Sequence, residues 1–334
     1  MNLMFPLSVL DLVSVKIDKT PADALTESLE LAQLADGLGY LRYWVAEHHN
    51  MVGIGSAATS VVIGYLAAGT KNIRIGAGGV MLPNHSPLII AEQFGTLESL
   101  YPNRIDLGLG RAPGTDQLTW RALRRDPRSS ERFPQDVQEL QGYFAPVKEG
   151  QAVQAVPGGN LNVPLWMLGS SLFGAQLAAQ LGLPYAFASH FAPASLDQAF
   201  KQYRHLFKPS SQLKKPYAMP CISVIVADTD EEAKYLFTSM QQRFLGMIRG
   251  QRGKLSPPID DISNCWNSIE KAQLESMLSC AFIGDPATVR EELQNFINRT
   301  QADELIVSAG IFDQSAKLHS YELLADIGKQ LVHT

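Results

Sequence analysis

The sequence predicts an α/β chain closed into a single (β/α)8 TIM barrel over residues 1–334, with an excursion beside it near residues 249–280. Three observations predict this. Short apolar runs of strand length occur eight times, and each is followed by a stretch whose apolar residues recur at helical spacing. Apolar strands alternating with helices imply a parallel sheet covered on both faces, and eight such units favour closure over an open, doubly wound sheet. An open dinucleotide-binding sheet would place a G-x-G-x-x-G turn after an early strand, but Asp11-Leu12-Val13-Ser14 stands there instead.

The first strand is expected over Leu3–Leu10, bounded by Asp11. Thr20 then offers a helix cap and Pro21 suits the first helical position. The helical pattern runs over Ala24–Leu38, and Gly39 stops it. Strands follow at Leu41–Ala46, Ile73–Val80 and Arg104–Leu109, with helices at Ser56–Ala68 and Pro87–Leu100. A helix over Pro134–Phe144 leads to a strand at Leu165–Leu168 and a helix at Phe173–Leu181 that ends at Gly182. Next come a strand at Tyr185–Ala188, a helix at Leu196–Phe207, a long strand at Ala218–Ala227 and a helix at Asp230–Met247. The stretch from Arg249 to Cys280 exceeds a plain connection and reads as the excursion. A helix at Pro286–Asn298, a strand at Glu304–Ala309 and a helix at Ala316–Leu331 complete the pattern.

With 334 residues, 46% of them hydrophobic, the chain can bury a full core. Its net charge of −5 argues against a nucleic-acid partner. The one basic cluster, Arg121–Arg128, is interleaved with Asp126, lacks aromatic residues and reads as a solvated loop. Cys221, Cys265 and Cys280 fit neither a disulfide framework nor a zinc pattern, so a reduced, cytoplasmic protein is expected. The N-terminal segment has no basic region and is broken by Pro6, unlike a signal peptide. No apolar run approaches the length of about 18 residues that a membrane span requires.

A barrel of this type carries its active site at the C-terminal ends of the strands. The residues expected there are Glu47-His48-His49-Asn50 after the second strand, Gly78-Gly79 and Leu82–His85 after the third, and Gly110–Gly114 after the fourth. Gly169-Ser170-Ser171 and Ser189-His190-Phe191 follow the fifth and sixth. Neighbouring residues on a strand face opposite ways, so His48 and His49 do not readily share a metal ion, and no metal site is assigned. His48 reads either as a satisfied polar residue or as a general acid–base at the mouth. Arg111 suits a phosphate, which a guanidinium grips through paired hydrogen bonds, or alternatively a neighbouring carboxylate. Ser170 and Ser171 lead straight into a helix, whose N-terminal amides favour an anion, and a simple helix cap is compatible with that role. Arg111 and Ser171 leave adjacent strands, so one phosphate can touch both. Gly76, Gly78 and Gly79 suggest close approach by a flat ring or by a neighbouring backbone.

These residues carry a family resemblance. Trp44–Asn50 (WVAEHHN), Ile73–Pro87 (IRIGAGGVMLPNHSP), Arg104–Asp116 (RIDLGLGRAPGTD), Leu168–Phe191 and Gly284–Leu293 together resemble the bacterial luciferase-like monooxygenases over essentially the whole chain. The resemblance implies reduced flavin mononucleotide (FMN) at the strand ends, with Arg111, Ser171 and the backbone near Gly174 on its phosphate and Ser170 beside them. It implies that His48 is the catalytic histidine beside the ring, and that a non-proline cis peptide near Ala77-Gly78 lies under the ring. Gly110 stands where luciferases carry a cysteine, so light emission is not implied. The function expected is a two-component monooxygenase that takes FMN, reduced by a separate flavin reductase, and uses O2 on a small organic substrate. A deazaflavin-dependent reductase or dehydrogenase and a non-catalytic flavin-binding protein are the alternatives. A homodimer is expected as well, from the family habit and from small residues such as Ser56–Thr59 and Ala67-Ala68 on early helices.

Overall fold

The computed structural model describes residues 4–112 and 115–333. Leu3, Pro113 and Gly114, which the sequence reading also took in, lie outside them. The strands are β1 (Leu7–Asp11), β2 (Arg42–Val45), β3 (Arg74–Met81), β4 (Ile105–Gly110), β5 (Leu165–Gly169), β6 (Tyr185–Phe187), β7 (Ala218–Val226), β8 (Ala281–Gly284) and β9 (Leu305–Ser308). All pair in parallel. β1 to β7 follow one another around the sheet, β7 pairs with β9, and β9 pairs with β1. The closed barrel therefore has eight strands, as expected. β8 is an addition that the sequence reading did not contain. Ser223 of β7 pairs with Ser308 of β9 and with Ala281 of β8, so β8 lies on the β7 edge that also carries β6 lower down.

The helices sit where capping chemistry puts them. In α1 (Pro21–Leu38) the Thr20 hydroxyl accepts from the Asp23 amide while Asp23 accepts from the Thr20 amide, a closed capping box with Pro21 in the first turn. Gly39 ends the helix in the left-handed region at φ 86°, which a side chain would oppose. α2 (Thr59–Ala68), α3 (Pro87–Leu100), α5 (Phe133–Phe144), α6 (Leu172–Leu181), α7 (Leu196–Leu206), α8 (Asp230–Ile248), α10 (Pro286–Thr300) and α11 (Gln314–Gly328) match the expected helices within a few residues. Two helices were not foreseen. α4 (Gln117–Ala122) takes in the start of the basic cluster, so Arg121 is helical rather than in a loop. α9 (Ser268–Met277) lies inside the excursion, where Leu274 and Leu278 pack on Met240, Phe244 and Leu245 of α8.

Inside the barrel, alternate residues of each strand point to the axis and form layers. The floor is ionic. Asp106 of β4 accepts from Arg42 of β2 at 2.8 Å and from Arg74 of β3 at 2.6 Å, and Arg42 also pairs with Glu304 at 3.0 Å. Tyr217 donates to Glu304 at 2.8 Å, and Ser8 donates to the same carboxylate. Above it lies an apolar layer of Leu10, Trp44, Trp166, Ala186, Met219, Cys221 and Ile306. The two indoles meet edge-on at 5.1 Å, and the Arg42 guanidinium lies 4.6 Å from the Trp166 ring. The strand-3 glycines follow from this packing. A Cβ on Gly76 would come within 2.6 Å of the Asp106 carbonyl and 2.9 Å of the Trp44 Nε1, and one on Gly78 within 3.0 Å of the same indole. Glycine is needed there to seat Trp44, so tight barrel packing accounts for Gly76 and Gly78.

Candidate active site

Above the tryptophan layer, at the C-terminal ends of the strands, opens a cavity of about 730 Å³. That volume is in the range of small-molecule and cofactor sites. Each of the eight strands of the closed barrel contributes. Asp11, Leu12 and Ser14 follow β1, Ala46 and His48 follow β2, Gly78 and Gly79 lie in β3, and Gly110 to Ala112 end β4. Gly169, Ser170 and Ser171 end β5, Ala188 and His190 follow β6, Ser223 lies in β7, and Ser308 to Gly310 end β9. The far side is closed by α8, through Met240, Arg243, Phe244 and Met247, and by residues 251–254 of the excursion. Backbone hydrogen bonds from Ile17 to Leu255 and from Leu255 to Val15, both 2.9 Å, pin that segment beside the end of β1.

On the β4–β5 side lies a site suited to an anion. The Arg111 guanidinium stacks 4.1 Å from the Phe173 ring, and among the described residues no carboxylate pairs with it. Phe173 is in the first turn of α6, so the stack holds the cation over the helix N-terminus. Ser171 is the N-cap of α6, yet its hydroxyl makes no capping bond and is available to a ligand. Gly174 is buried in the first turn and packs against Tyr185, whose hydroxyl donates to the Ser171 carbonyl at 3.1 Å. The sequence reading offered ion pair or phosphate for Arg111, and the ion pair is not what the structure shows.

His48 lines the cavity half-buried, while Glu47 and His49 on either side turn the other way. The Glu47 carboxylate is buried and accepts from the Met81 amide at 2.9 Å, from Asn84 at 3.3 Å, from His49 Nε2 at 2.7 Å and from His85 Nε2 at 2.9 Å. Burial alone would raise its pKa, but the hydrogen bonds from His49 and His85 outweigh that and hold it down to about 2. An ionised carboxylate only accepts, so both imidazoles donate through Nε2. The latch joins the ends of β2 and β3 and fixes the backbone around His48. The same three groups place ligand-type atoms within 4.8 Å of one another, a cluster the sequence reading did not assemble. Opposite them, His190 is held uncharged. Burial first, then the nearby His48 and Arg243, pull its pKa down to about 3.

Of the expected site residues, His48, Gly78, Arg111, Ser170, Ser171 and Gly174 all line the cavity. Ala77 does not. Its side chain is fully buried in the layer outside the barrel, because successive strand residues alternate and Gly78 takes the inward place. The non-proline cis peptide is the Gly78–Gly79 bond, one residue beyond Ala77-Gly78, where the β3–β4 register also shifts. Sequence reasoning missed the Phe173 stack, the Glu47–His85 contact and Arg243. The adjacency of a glycine-led arginine to the next strand's Ser-Ser-x-Phe was the one signal for the first of these.

The family described as luciferase-like monooxygenase matches residues 6–303. A protein of Escherichia coli (strain K12) named luciferase-like monooxygenase is 54% identical over 97% of both chains. The N-acetyl-S-alkylcysteine monooxygenase of Bacillus subtilis (strain 168) is 32% identical, covering 97% of this chain and 98% of its own. Among solved structures, apo-MsnO8 is 35% identical with a TM-score of 0.87, covering 99% of this chain and all of the other.

Proposed function

The chain belongs to the luciferase-like monooxygenase family, and from that premise we propose that it is the oxygenase component of a two-component system that uses FMN. A separate reductase supplies the reduced flavin, and O2 and a small organic substrate complete the reaction. The observation that carries FMN is the Arg111 guanidinium, stacked on Phe173 without a carboxylate partner and set beside an uncapped helix start with two hydroxyls. That donor set matches a phosphate dianion. Bound reduced flavin would supply the electrons that activate O2. The chain's own residues have distinct tasks. Arg111, Ser170, Ser171 and the Gly174 backbone hold the phosphate. Gly78 and Gly79 offer a wall without side chains to a flat ring, and Leu10, Leu168 and Phe244 exclude water from it. His48 holds or releases a proton at its imidazole, in a position fixed by the Glu47 latch.

Arg111→Ala tests the assignment. FMN binding should weaken about 10- to 150-fold, the scale of hydrogen bonds to charged groups. Riboflavin, which lacks the phosphate, should bind both proteins alike. Equal losses for the two flavins would make the arginine structural. Titration with a deazaflavin distinguishes the reductase alternative, and micromolar binding of that carrier alone would overturn FMN.

The reductase partner is supported by the absence of a G-x-G-x-x-G strand-to-helix turn for a nicotinamide cofactor in the sequence. The purified protein should oxidise NADH only when a flavin reductase is added, and robust oxidation by the protein alone would sink the two-component reading. A homodimer is supported by apolar side chains on the outer faces of α2 and α3. Val61, Tyr65, Ile89 and Leu100 are all exposed there. Light scattering should give twice the chain mass. A species of single chain mass throughout the micromolar range would refute the dimer.

A further inference from the structure

The wall of the cavity facing the phosphate site carries a second, unused cation. Arg243 projects from α8 into the cavity, and its Nη1 donates to Ser14 Oγ at 2.8 Å. Ser14 follows β1, and in a closed barrel of eight strands β1 stands four strands away from β5, on the opposite side from Ser170 and Ser171. A guanidinium has five donors, and Ser14 takes one. Among the described residues no carboxylate pairs with Arg243. The acid whose charge reaches it is Asp11, and that carboxylate is already spent on the Tyr43 hydroxyl at 2.6 Å, the Val13 amide at 3.1 Å and Lys317 at 3.4 Å. The floor arginines, Arg42 and Arg74, show the opposite arrangement, each paired with Asp106. Arg243 is half-buried, and a cation partly withdrawn from water without a counter-charge favours an anion entering the cavity.

Two further buried polar atoms around the cavity have no hydrogen-bond partner among the described residues. They are Nδ1 of His190 and Oγ of Ser223, and both residues line the cavity. Arg111, Arg243, Arg252 and Lys254 line it too, whereas Asp11 is the only acid among the described lining residues. The cavity thus carries a surplus of positive charge at two opposite ends. Arg111 accounts for one anion. Leu12, Leu168, Met240, Phe244 and Met247 supply apolar wall in the same cavity.

We propose that the substrate carries a carboxylate, that Arg243 binds it with Ser223 and His190 beside it, and that its apolar portion extends toward the ring site. This deepens the oxygenase reading and rests on it for the word substrate, but the binding itself is testable without turnover. Octanoate and octanamide differ only in the headgroup and serve as probes. Calorimetric titration should show octanoate binding the wild-type protein at least about 10-fold more tightly than octanamide, the scale of one charge-assisted hydrogen-bond pair. Arg243→Gln should abolish that preference while leaving FMN affinity within about twofold, and Arg243→Lys, which keeps the charge, should retain part of it. Equal binding of the two probes, no saturable octanoate binding at millimolar concentration, or an unchanged preference in Arg243→Gln would overturn the proposal. Loss of FMN binding in both variants would assign the guanidinium to the cofactor or the fold and overturn it as well. A headgroup preference that persists in a protein unable to bind FMN would defeat the cofactor assignment and leave this one standing.

Discussion

Asp106→Ala should cost about 3–5 kcal/mol of folding stability, because it takes the carboxylate from Arg74 and leaves Arg42 with Glu304 alone in the barrel floor. Asp106 has no exposure to solvent, and it is the shared acceptor of Arg42, Arg74 and the Trp44 indole. Burial pushes its pKa up, but the attraction of Arg42 and Arg74 outweighs this and leaves it below the ordinary carboxylate range. The sign of the pH effect follows. With a depressed folded-state pKa, the stability Asp106 contributes is complete above the ordinary carboxylate value and is lost as pH falls below it. Urea denaturation at neutral pH should show the loss in full, and the gap between wild type and variant should narrow in acid. A neutral-pH loss under about 1 kcal/mol, the scale of an exposed ion pair, would mean that water reaches the floor and screens it.

His48→Ala should lower reductase-coupled turnover by about 10²-fold or more if the imidazole moves a proton. FMN affinity should change little, because the phosphate grip lies on the β4–β5 side. Single-turnover measurements with pre-reduced flavin would separate chemistry from flavin delivery. Turnover unchanged in His48→Ala, with flavin affinity intact, would remove the histidine from the reaction. Strong flavin binding with no turnover in either protein would favour the storage alternative.

Much of the architecture was legible in the sequence because local chemistry and global packing agree. The apolar strands, the Thr20-Pro21 start and the Gly39 stop of α1 each carry their own signal. β8 carried none. Its four residues, Ala-Phe-Ile-Gly, are too few for a period to show, and only the length of β7 makes a place for them. The site was legible where a residue directly follows a strand, because the barrel rule converts that position into the mouth. Arg243 lies on a helix, where spacing reveals which residues share a face but not that this face overhangs the mouth. The Glu47–His85 contact spans 38 residues, and no single-sequence pattern announces it. The strand-3 glycines were seen, but their cause, room for the Trp44 indole, needed the facing strand.

The position of β8 bears on how this protein can be altered. β7 runs nine residues, and β6 pairs with only its first three. Without β8, the outer half of that edge would offer a row of unpaired amides and carbonyls to any other chain. The segment that leads to β8, residues 249–280, also walls the cavity through residues 251–254. Trimming that segment to admit bulkier compounds would therefore risk baring a sticky strand edge, and the variant would precipitate before its altered selectivity could be measured. Enlarging the pocket by point substitution at Met240 or Met247 on α8 leaves the edge covered.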